Sequence, residues 1–284
     1  MTFFICYNMI GDNMDRVLEI IKYILLGIIQ GITEIFPVSS SGHLTIFSRL
    51  FQMDLSNLTI FLMVTNTGSF LALLFYFRKD IASLISGTWQ YLLKQNPVFK
   101  NDFIYVLKLL IAVIPIGVFG LIIKDYLPDD LLTVGFSLLV TGGLLFYVFY
   151  TRNANWQKDI TWKNALIIGA FQAFGVFPGI SRSGITMIGG LTQKIEIKKV
   201  LKFSFLSYII VSVPVMILGF YEAYQASESI DYLGYTLAFI MSFIFSLISV
   251  KLLYEYVKVK NLIYFSIYCL AAGLITIILS LWVF

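Results

Sequence analysis

The chain alternates long apolar stretches with short polar ones, and six of the apolar stretches are long enough to cross a bilayer as helices. They lie near 58–77, 104–123, 132–151, 203–221, 232–252 and 262–284, where a span needs about 20 residues at 1.5 Å rise each. Two further apolar stretches, 20–46 and 164–191, are broken in the middle by proline, glycine and serine. Irregular backbone at membrane depth persists only where protein or a water-filled cavity satisfies its polar groups. Both stretches are therefore predicted to be re-entrant hairpins.

Composition narrows the class. Apolar residues make up 59% of the 284 residues and charged residues 13%, too little charge to keep a soluble domain of this size in water. Only 6 prolines are spread along the chain, which argues against a linker-rich protein and for one integral membrane domain. The N-terminal segment does not read as a cleaved signal peptide. It carries Asp12, Asp15 and Glu19 beside Arg16 and Lys22, and no small-x-small site closes the next apolar run. Cys6 and Cys269 lie at opposite ends, a spacing that suggests neither a structural disulfide nor thiolate metal binding. His43 is the single histidine, which excludes any mechanism needing two imidazoles from one chain.

The net charge of +4 is no nucleic-acid signal, because the basic residues sit in short loops. They cluster at Arg78/Lys79/Lys94/Lys100, Arg152/Lys158/Lys163, Lys194/Lys198/Lys199/Lys202 and Lys251/Lys258/Lys260. The loops at 124–130 and 222–231 instead carry Asp125, Asp129, Asp130, Glu222, Glu228 and Asp231 against Lys124. The positive-inside rule places the first four clusters in the cytoplasm and the two acidic loops outside. Both termini then fall outside, hairpin 20–46 enters from outside, and hairpin 164–191 enters from the cytoplasm. Trp89, Trp156 and Trp162 at loop edges read as interfacial anchors.

The two broken stretches resemble each other. Gly27-Ile28-Ile29-Gln30 aligns with Gly169-Ala170-Phe171-Gln172, and Ser39-Ser40-Ser41-Gly42 with Ser181-Arg182-Ser183-Gly184. A Phe-Pro pair stands in both copies, slipped by one residue: Phe36-Pro37 against Phe177-Pro178. Each copy is followed by three spans. A hairpin plus three crossings is an odd unit, so the second copy must be inverted, as the loop charges also require. The expected fold is an all-α polytopic membrane protein with an inverted-topology repeat, halves 1–155 and 156–284, each a re-entrant helical hairpin plus three transmembrane helices. Repeats of this kind with broken helices place a shared site near the midplane at their interface.

The polar residues of the hairpins are the candidate chemistry. Gln30 and Glu34 are four apart and share a helical face. Pro37 disfavours helix at Phe36, which puts Ser39, Ser40 and Ser41 in a turn whose backbone N–H groups can cradle an anion. His43 follows on the rim of that cradle. The second hairpin supplies Ser181, Arg182, Ser183 and Thr186. An arginine in an apolar hairpin is costly unless it meets an anion or a carboxylate, and its planar fork suits phosphate. Each piece alone has a plainer explanation: a packing turn, an interfacial histidine, an Arg182–Glu34 salt bridge, glutamines as interhelical glue. Their recurrence at matched repeat positions favours a diphosphate site. Thr65-Asn66-Thr67-Gly68-Ser69 is a second polar spot, with helix packing as its default and cavity lining as the alternative. Lys108 is read as snorkelling, with no role.

At these residues the sequence resembles the undecaprenyl pyrophosphate phosphatase family, also known as the bacitracin resistance protein family. Its (E/Q)xxxE motif is matched by Gln30 and Glu34. Its PVSSxGH motif is matched by Pro37-Val38-Ser39-Ser40-Ser41-Gly42-His43, and its PGxSRSxxT motif by Pro178-Gly179-Ile180-Ser181-Arg182-Ser183-Gly184-Ile185-Thr186. The resemblance covers nearly the whole chain. It implies hydrolysis of undecaprenyl pyrophosphate to the monophosphate on the external face of the bacterial plasma membrane, recycling the lipid carrier for peptidoglycan. It also implies a requirement for Mg²⁺ or Ca²⁺. Gln30 stands where many relatives have glutamate, so the metal is assigned to Glu34 with Gln30 as an uncharged oxygen ligand. Arg182 would clamp phosphoryl oxygens, helped by Ser39, Ser41, Ser181, Ser183 and Thr186. The nucleophile is either Ser40 activated by His43, or a water deprotonated by His43 or Glu34. The expected partners are a prenyl pyrophosphate lipid and the bilayer, without nucleic acid, and with a homodimer left open.

Two rivals are weighed. A prenyl-phosphate transporter or flippase fits the inverted repeat, but Glu34 and His43 have no equivalents at Val176 and Ile185, and Arg182 has none at Ser40. That asymmetry suits catalysis. The other membrane lipid phosphatases, which also carry SGH and SR motifs, use two histidines, and His43 stands alone.

Overall fold

In hydrocarbon a backbone must satisfy its own N–H and C=O groups, so the apolar stretches become helices. The computed structural model describes residues 2–53, 58–123, 126–128, 130–151, 159–225 and 231–282. Lys124, Asp125, Asp129, Arg152, Trp156, Lys158 and Glu228 lie outside the described residues, as do the side chains of Cys6, Asp12 and Glu222. Eleven α-helices follow in order among the described residues: α1 (Thr2–Ile35), α2 (Ser40–Leu50), α3 (Leu58–Tyr76), α4 (Arg78–Lys94), α5 (Lys100–Ile123), α6 (Leu131–Tyr150), α7 (Trp162–Ala173), α8 (Arg182–Leu191), α9 (Ile197–Gln225), α10 (Tyr232–Tyr256) and α11 (Leu262–Trp282).

Among the described residues, five helical segments are long and apolar enough to cross a membrane: Pro97–Ile123, Leu131–Tyr150, Ile197–Tyr221, Tyr232–Tyr256 and Val259–Trp282. A sixth counts if α3 is taken together with α4, from which it is bent by 68°. The chain is an all-α, multi-pass membrane protein. Both broken stretches form helix–turn–helix pairs: α1 turns at 36–39 into α2, and α7 runs through a 3₁₀ turn at Phe174–Val176 into α8. With 12 and 10 residues, α7 and α8 are about 18 and 15 Å long. Neither can cross a core of about 30 Å alone.

The structure differs from the sequence reading in two places. Helix α1 starts at Thr2, so the first arm of hairpin 20–46 is the end of a 34-residue helix. The stretch 78–94, read as a basic loop, is helix α4. Ile81, Leu84, Ile85, Trp89, Leu92 and Leu93 recur at helical spacing, the signature of an amphipathic helix. Ile81 and Leu84 pack on the core, while Ile85, Trp89, Leu92 and Leu93 are exposed.

Small residues let the helices approach. A Cβ on Gly27 would lie 2.8 Å from Ala238 Cα on α10, and one on Gly169 2.8 Å from Ala112 Cα on α5. Thus α1 packs on α10 and α7 on α5, while α6 packs on α11. A buried hydroxyl ladder ties α1, α3 and α10 together. Ser242 Oγ donates to the Thr65 carbonyl (2.7 Å), Ser246 Oγ donates to the Gly31 carbonyl (3.1 Å), and Ser69 Oγ lies within hydrogen-bond distance of both hydroxyls, 2.9 Å from Ser246 Oγ and 3.0 Å from Ser242 Oγ. Interhelical hydrogen bonds of this kind each contribute roughly 0.6–2 kcal/mol in a membrane. Thr65 and Ser69 therefore pack, as expected for their stretch, and Lys108 donates to the Ile160 carbonyl at 2.6 Å.

Candidate active site

The tips of the two hairpins abut. A Cβ on Gly184 would lie 3.1 Å from Pro37 Cβ, and one on Gly42 3.2 Å from Gly179 Cα. Gly179 has φ +86°, a left-handed value that glycine adopts without steric cost. Ser183 Oγ crosses between the hairpins, donating to the Glu34 carbonyl at 3.2 Å. Each short helix is capped by a serine of its own tip. Ser39 Oγ accepts from Gly42 N (3.3 Å) and Ser181 Oγ from Gly184 N (3.1 Å), satisfying one of the free N–H groups of a helix start.

Between the tips lies a cavity of about 70 Å³, enough for several waters or a compact anion at roughly 10–15 Å³ per water. It is lined by Gln30, Thr33, Glu34, Ser40, Ser41, Leu62, Asn66, Gly175, Ile180, Ser181, Arg182 and Ser183. Ser40 and Arg182 are the first residues of α2 and α8, so the positive ends of two helix dipoles reach the cavity.

Glu34 is the hub of the first hairpin. It is 8% exposed, and its Oε2 accepts from Gln30 Nε2 (3.0 Å) and from Ser40 Oγ. Gln30 Nε2 also donates to Asn66 Oδ1 at 2.7 Å, which leaves Gln30 Oε1 buried without a partner. Arg182 faces this arrangement from the second hairpin. Among the described residues it forms no ion pair, its guanidinium carbon lies 5.3 Å above the Tyr208 ring, and its Nε is buried without a partner. An arginine held in an apolar bundle with donors unspent is a site prepared for an anion. The salt bridge to Glu34 that would have explained it structurally is not formed.

The structure thus brings together Gln30, Glu34, Ser40, Ser41, Ser181, Arg182 and Ser183. It does not bring Ser39, His43 or Thr186 to the cavity wall. Ser39 serves as a cap, and Thr186 Oγ1 donates to the Arg182 carbonyl at 2.7 Å. His43 is 3% exposed, its Nδ1 2.6 Å from the Ser39 carbonyl and its Nε2 2.5 Å from Tyr268 Oη. The expectation of an imidazole on the rim of the cradle is not met, because α2 carries His43 one turn beyond its N-terminus and into the bundle. Two residues were missed from sequence. Tyr208 lies beneath Arg182 and beside Glu34, and Tyr268 bonds His43. Each is one of 17 tyrosines in an apolar helix, and neither has a sequence signal.

A divalent cation can be tested against this donor set. Among the described residues, no three His, Cys, Asp or Glu side chains cluster as a resident metal cage. What is present is one carboxylate, the unpartnered Gln30 Oε1 and serine hydroxyls, all hard oxygen donors. That set fits a cation which shares its coordination with phosphate oxygens, the usual habit of Mg²⁺.

Fold and site define a membrane protein with a cavity between two broken-helix hairpins, furnished with a carboxylate, hydroxyls and an arginine. Comparison places it more narrowly. Residues 23–275 match the model of the bacitracin resistance protein BacA family, and the chain belongs to that family. It is 54% identical over 274 residues to an undecaprenyl-diphosphatase of Acholeplasma laidlawii, covering 94% of this chain and 99% of that one. It is 36% identical to an undecaprenyl-diphosphatase of Oceanobacillus iheyensis over 91% of this chain and 96% of that one. The same identity relates it to undecaprenyl-diphosphatase 2 of Bacillus thuringiensis, over 93% and 99%.

Proposed function

We infer that this chain is a membrane phosphatase that hydrolyses undecaprenyl diphosphate to undecaprenyl phosphate and phosphate, the activity named for its relatives and the one that underlies bacitracin resistance and the reuse of the lipid carrier in cell-wall synthesis. The observation that carries the reading is Arg182, an unpaired cation on a cavity wall opposite the Glu34–Ser40 pair.

In the mechanism the terminal phosphoryl group of the lipid diphosphate sits between Arg182 and Ser40, its oxygens accepting from the guanidinium, from Ser181 and Ser183, and from N–H groups of the two helix starts. Ser40 Oγ already donates to Glu34 Oε2, so Glu34 is the base to which the serine proton passes. An Oγ–P bond forms as the bond from the bridging oxygen to the terminal phosphorus breaks, and undecaprenyl phosphate leaves. Glu34 gives that proton up to the departing undecaprenyl phosphate; it then takes a proton from the water that attacks phosphorus and returns it to Ser40 Oγ as the Oγ–P bond breaks, releasing phosphate. A direct water attack with Glu34 as base would use the same groups. Positioning and charge stabilisation supply most of the catalysis in such transfers. A Mg²⁺ or Ca²⁺ ion held by Glu34 and Gln30 Oε1 together with the diphosphate would neutralise charge on the transferring group.

We assign hairpin 20–46 to the external side and hairpin 164–191 to the cytoplasmic side of the plasma membrane, as inverted halves. The matched close approaches at Gly27–Ala238 and Gly169–Ala112, and the matched serine caps Ser39 and Ser181, support the repeat. The loop charges support the orientation. One chain lines the cavity, so a homodimer would assemble around sites already complete.

Detergent-purified protein should release phosphate from undecaprenyl diphosphate, and a chelator should reduce the rate. Absence of release from active-looking, folded protein would refute the phosphatase reading in favour of a transporter, which needs a sealed membrane to act. In a chain with both cysteines changed to serine, Tyr224→Cys should react with an impermeant maleimide in intact cells and Lys94→Cys should not; the reverse would overturn the orientation.

A further inference from the structure

Both ring nitrogens of His43 are engaged inside the protein, and His43 is not among the residues that line the cavity. A carbonyl oxygen only accepts, so Nδ1 carries the hydrogen and donates to the Ser39 carbonyl. Nε2 is then the acceptor and the Tyr268 hydroxyl the donor. The two rings lie nearly parallel, 9° apart, with centroids at 5.5 Å. No lone pair remains to take a proton from Ser40, whose hydroxyl is already bonded to Glu34.

His43 instead grips the one residue of this turn whose backbone is unusual. Ser39 has φ 72° and ψ 98°, in the left-handed range that a residue with a Cβ holds only when its surroundings impose it. Its carbonyl receives the His43 backbone N–H at 3.2 Å as well as the ring, and its hydroxyl caps Gly42 N. The next residue is Ser40. Releasing Ser39 would let the turn relax and swing the Ser40 hydroxyl off Glu34.

We propose that His43 and Tyr268 are a positioning pair that clamps the strained Ser39 turn and so aims Ser40 at Glu34 and the cavity, with Tyr268 contributed from α11, far from both sequence motifs. His43 is then no acid or base in the reaction. The proposal uses the phosphatase reading for its assay.

The test rests on what asparagine can replace. Its amide nitrogen occupies nearly the place of Nδ1 and can donate to the Ser39 carbonyl, but it cannot reach Tyr268 or act as a base. His43→Ala, His43→Asn, Tyr268→Phe and the double variant His43→Asn/Tyr268→Phe would be purified in detergent beside the parent, with Tm, kcat, KM and the pH profile of phosphate release measured for each. His43→Ala is expected to lose on the order of 100-fold in kcat with KM little changed, the scale of a misplaced reacting group. His43→Asn should recover to within about tenfold of the parent and keep both limbs of the parent pH profile. Tyr268→Phe should lower kcat about three- to tenfold without lowering Tm, and should add nothing to His43→Asn, because paired groups are not additive. The proposal is overturned if folded His43→Asn is as inactive as His43→Ala or loses a limb of the profile, or if Tyr268→Phe keeps full kcat. A parent that releases no phosphate would overturn the phosphatase reading instead.

Discussion

Replacing Arg182 by glutamine separates a residue that binds an anion from one that holds the bundle together. Glutamine keeps much of the stem and some hydrogen bonding but removes the charge and the fork. The guanidinium would supply two charge-assisted hydrogen bonds to the phosphoryl group, each contributing about 1.5–3 kcal/mol. Losing both costs roughly 3–6 kcal/mol, or about 10²–10⁴-fold in kcat/KM at 1.36 kcal/mol per factor of ten. Folding should respond differently. Arg182 makes no ion pair among the described residues and its Nε has no partner, so the stabilisation at risk is chiefly the contact with the Tyr208 ring at 5.3 Å, about 0.5–2 kcal/mol. Relief of an unpaired charge in an apolar bundle opposes that loss and is of similar size. Thermal unfolding in detergent should shift by only a few degrees, at roughly 2–4 °C per kcal/mol for a chain this long. Arg182→Lys, which keeps the charge without the planar fork, should fall between parent and Arg182→Gln. A large drop in Tm with catalysis mostly retained would show that Arg182 is a structural residue and that the anion site lies elsewhere.

Other expectations concern its neighbours. A Cβ on Gly175 would lie 3.0 Å from Cα and Cγ of Arg182, so Gly175→Ala should displace the arginine by a few tenths of an ångström and lower kcat/KM about 3–30-fold with Tm little changed, given that 1 Å of misplacement costs about 100-fold. Glu34→Gln keeps an acceptor for Ser40 but no base, and should lower kcat by at least about 10²-fold in a steady-state phosphate assay. Away from the cavity, Arg16 donates to both oxygens of Asp231 at 2.8 Å and holds that carboxyl below its ordinary value, helped by the Gly234 N–H. A depressed carboxyl stabilises above its unfolded pKa and loses that contribution as pH falls through the folded one. Asp231→Asn should therefore lower Tm near neutral pH, and the difference from the parent should vanish on titration below about pH 4; a difference that persists in acid would assign the effect to the helix cap.

The spans were legible because hydrocarbon imposes one rule on every residue in it: an unbroken apolar run must be a helix, and a broken one must be sheltered. Proline, glycine and serine in 20–46 and 164–191 therefore announced both breaks in the helices, and Glu34 of one stretch and Arg182 of the other line one cavity. Helix α4 escaped because its charges met the eye before its period. Ile81, Leu84, Ile85, Trp89, Leu92 and Leu93 mark one face, and an amphipathic helix is recognised by that period and not by its charges. His43 was misplaced for a different reason. Sequence puts it three residues from Ser40, but it lies one turn further along α2, where its ring is held by the Ser39 carbonyl and by Tyr268, 225 positions away. Asn66 and Leu62 reach the cavity, and Tyr208 reaches Arg182, from long helices whose apolar faces leave their rotation undetermined, so only packing shows which way they point.

Neither hairpin is a site alone. The first carries a carboxylate and a hydroxyl but no cation, and the second a cation but no base. The cavity exists only where the tips abut, and that contact rests on Gly179. With φ at +86° and an added Cβ 2.8 Å from Val134 Cα and from Ser137 Cβ, Gly179→Ala meets both a strained backbone and the backbone of α6. The strain costs about 1–2 kcal/mol and the overlap about 1–3 kcal/mol. The cheapest relaxation is for the second hairpin to back away from α6 and from Pro37, which carries Arg182 away from Glu34. Unlike Gly175→Ala, this variant should lose stability and activity together, with Tm down by roughly 5–15 °C. Phosphate release should be low even at temperatures where the protein remains folded, because the two halves of the site are no longer in register. A destabilised Gly179→Ala enzyme that works at the parent rate in the cold would show that the chemistry is complete within one hairpin, and the division of labour between the two would have to be abandoned.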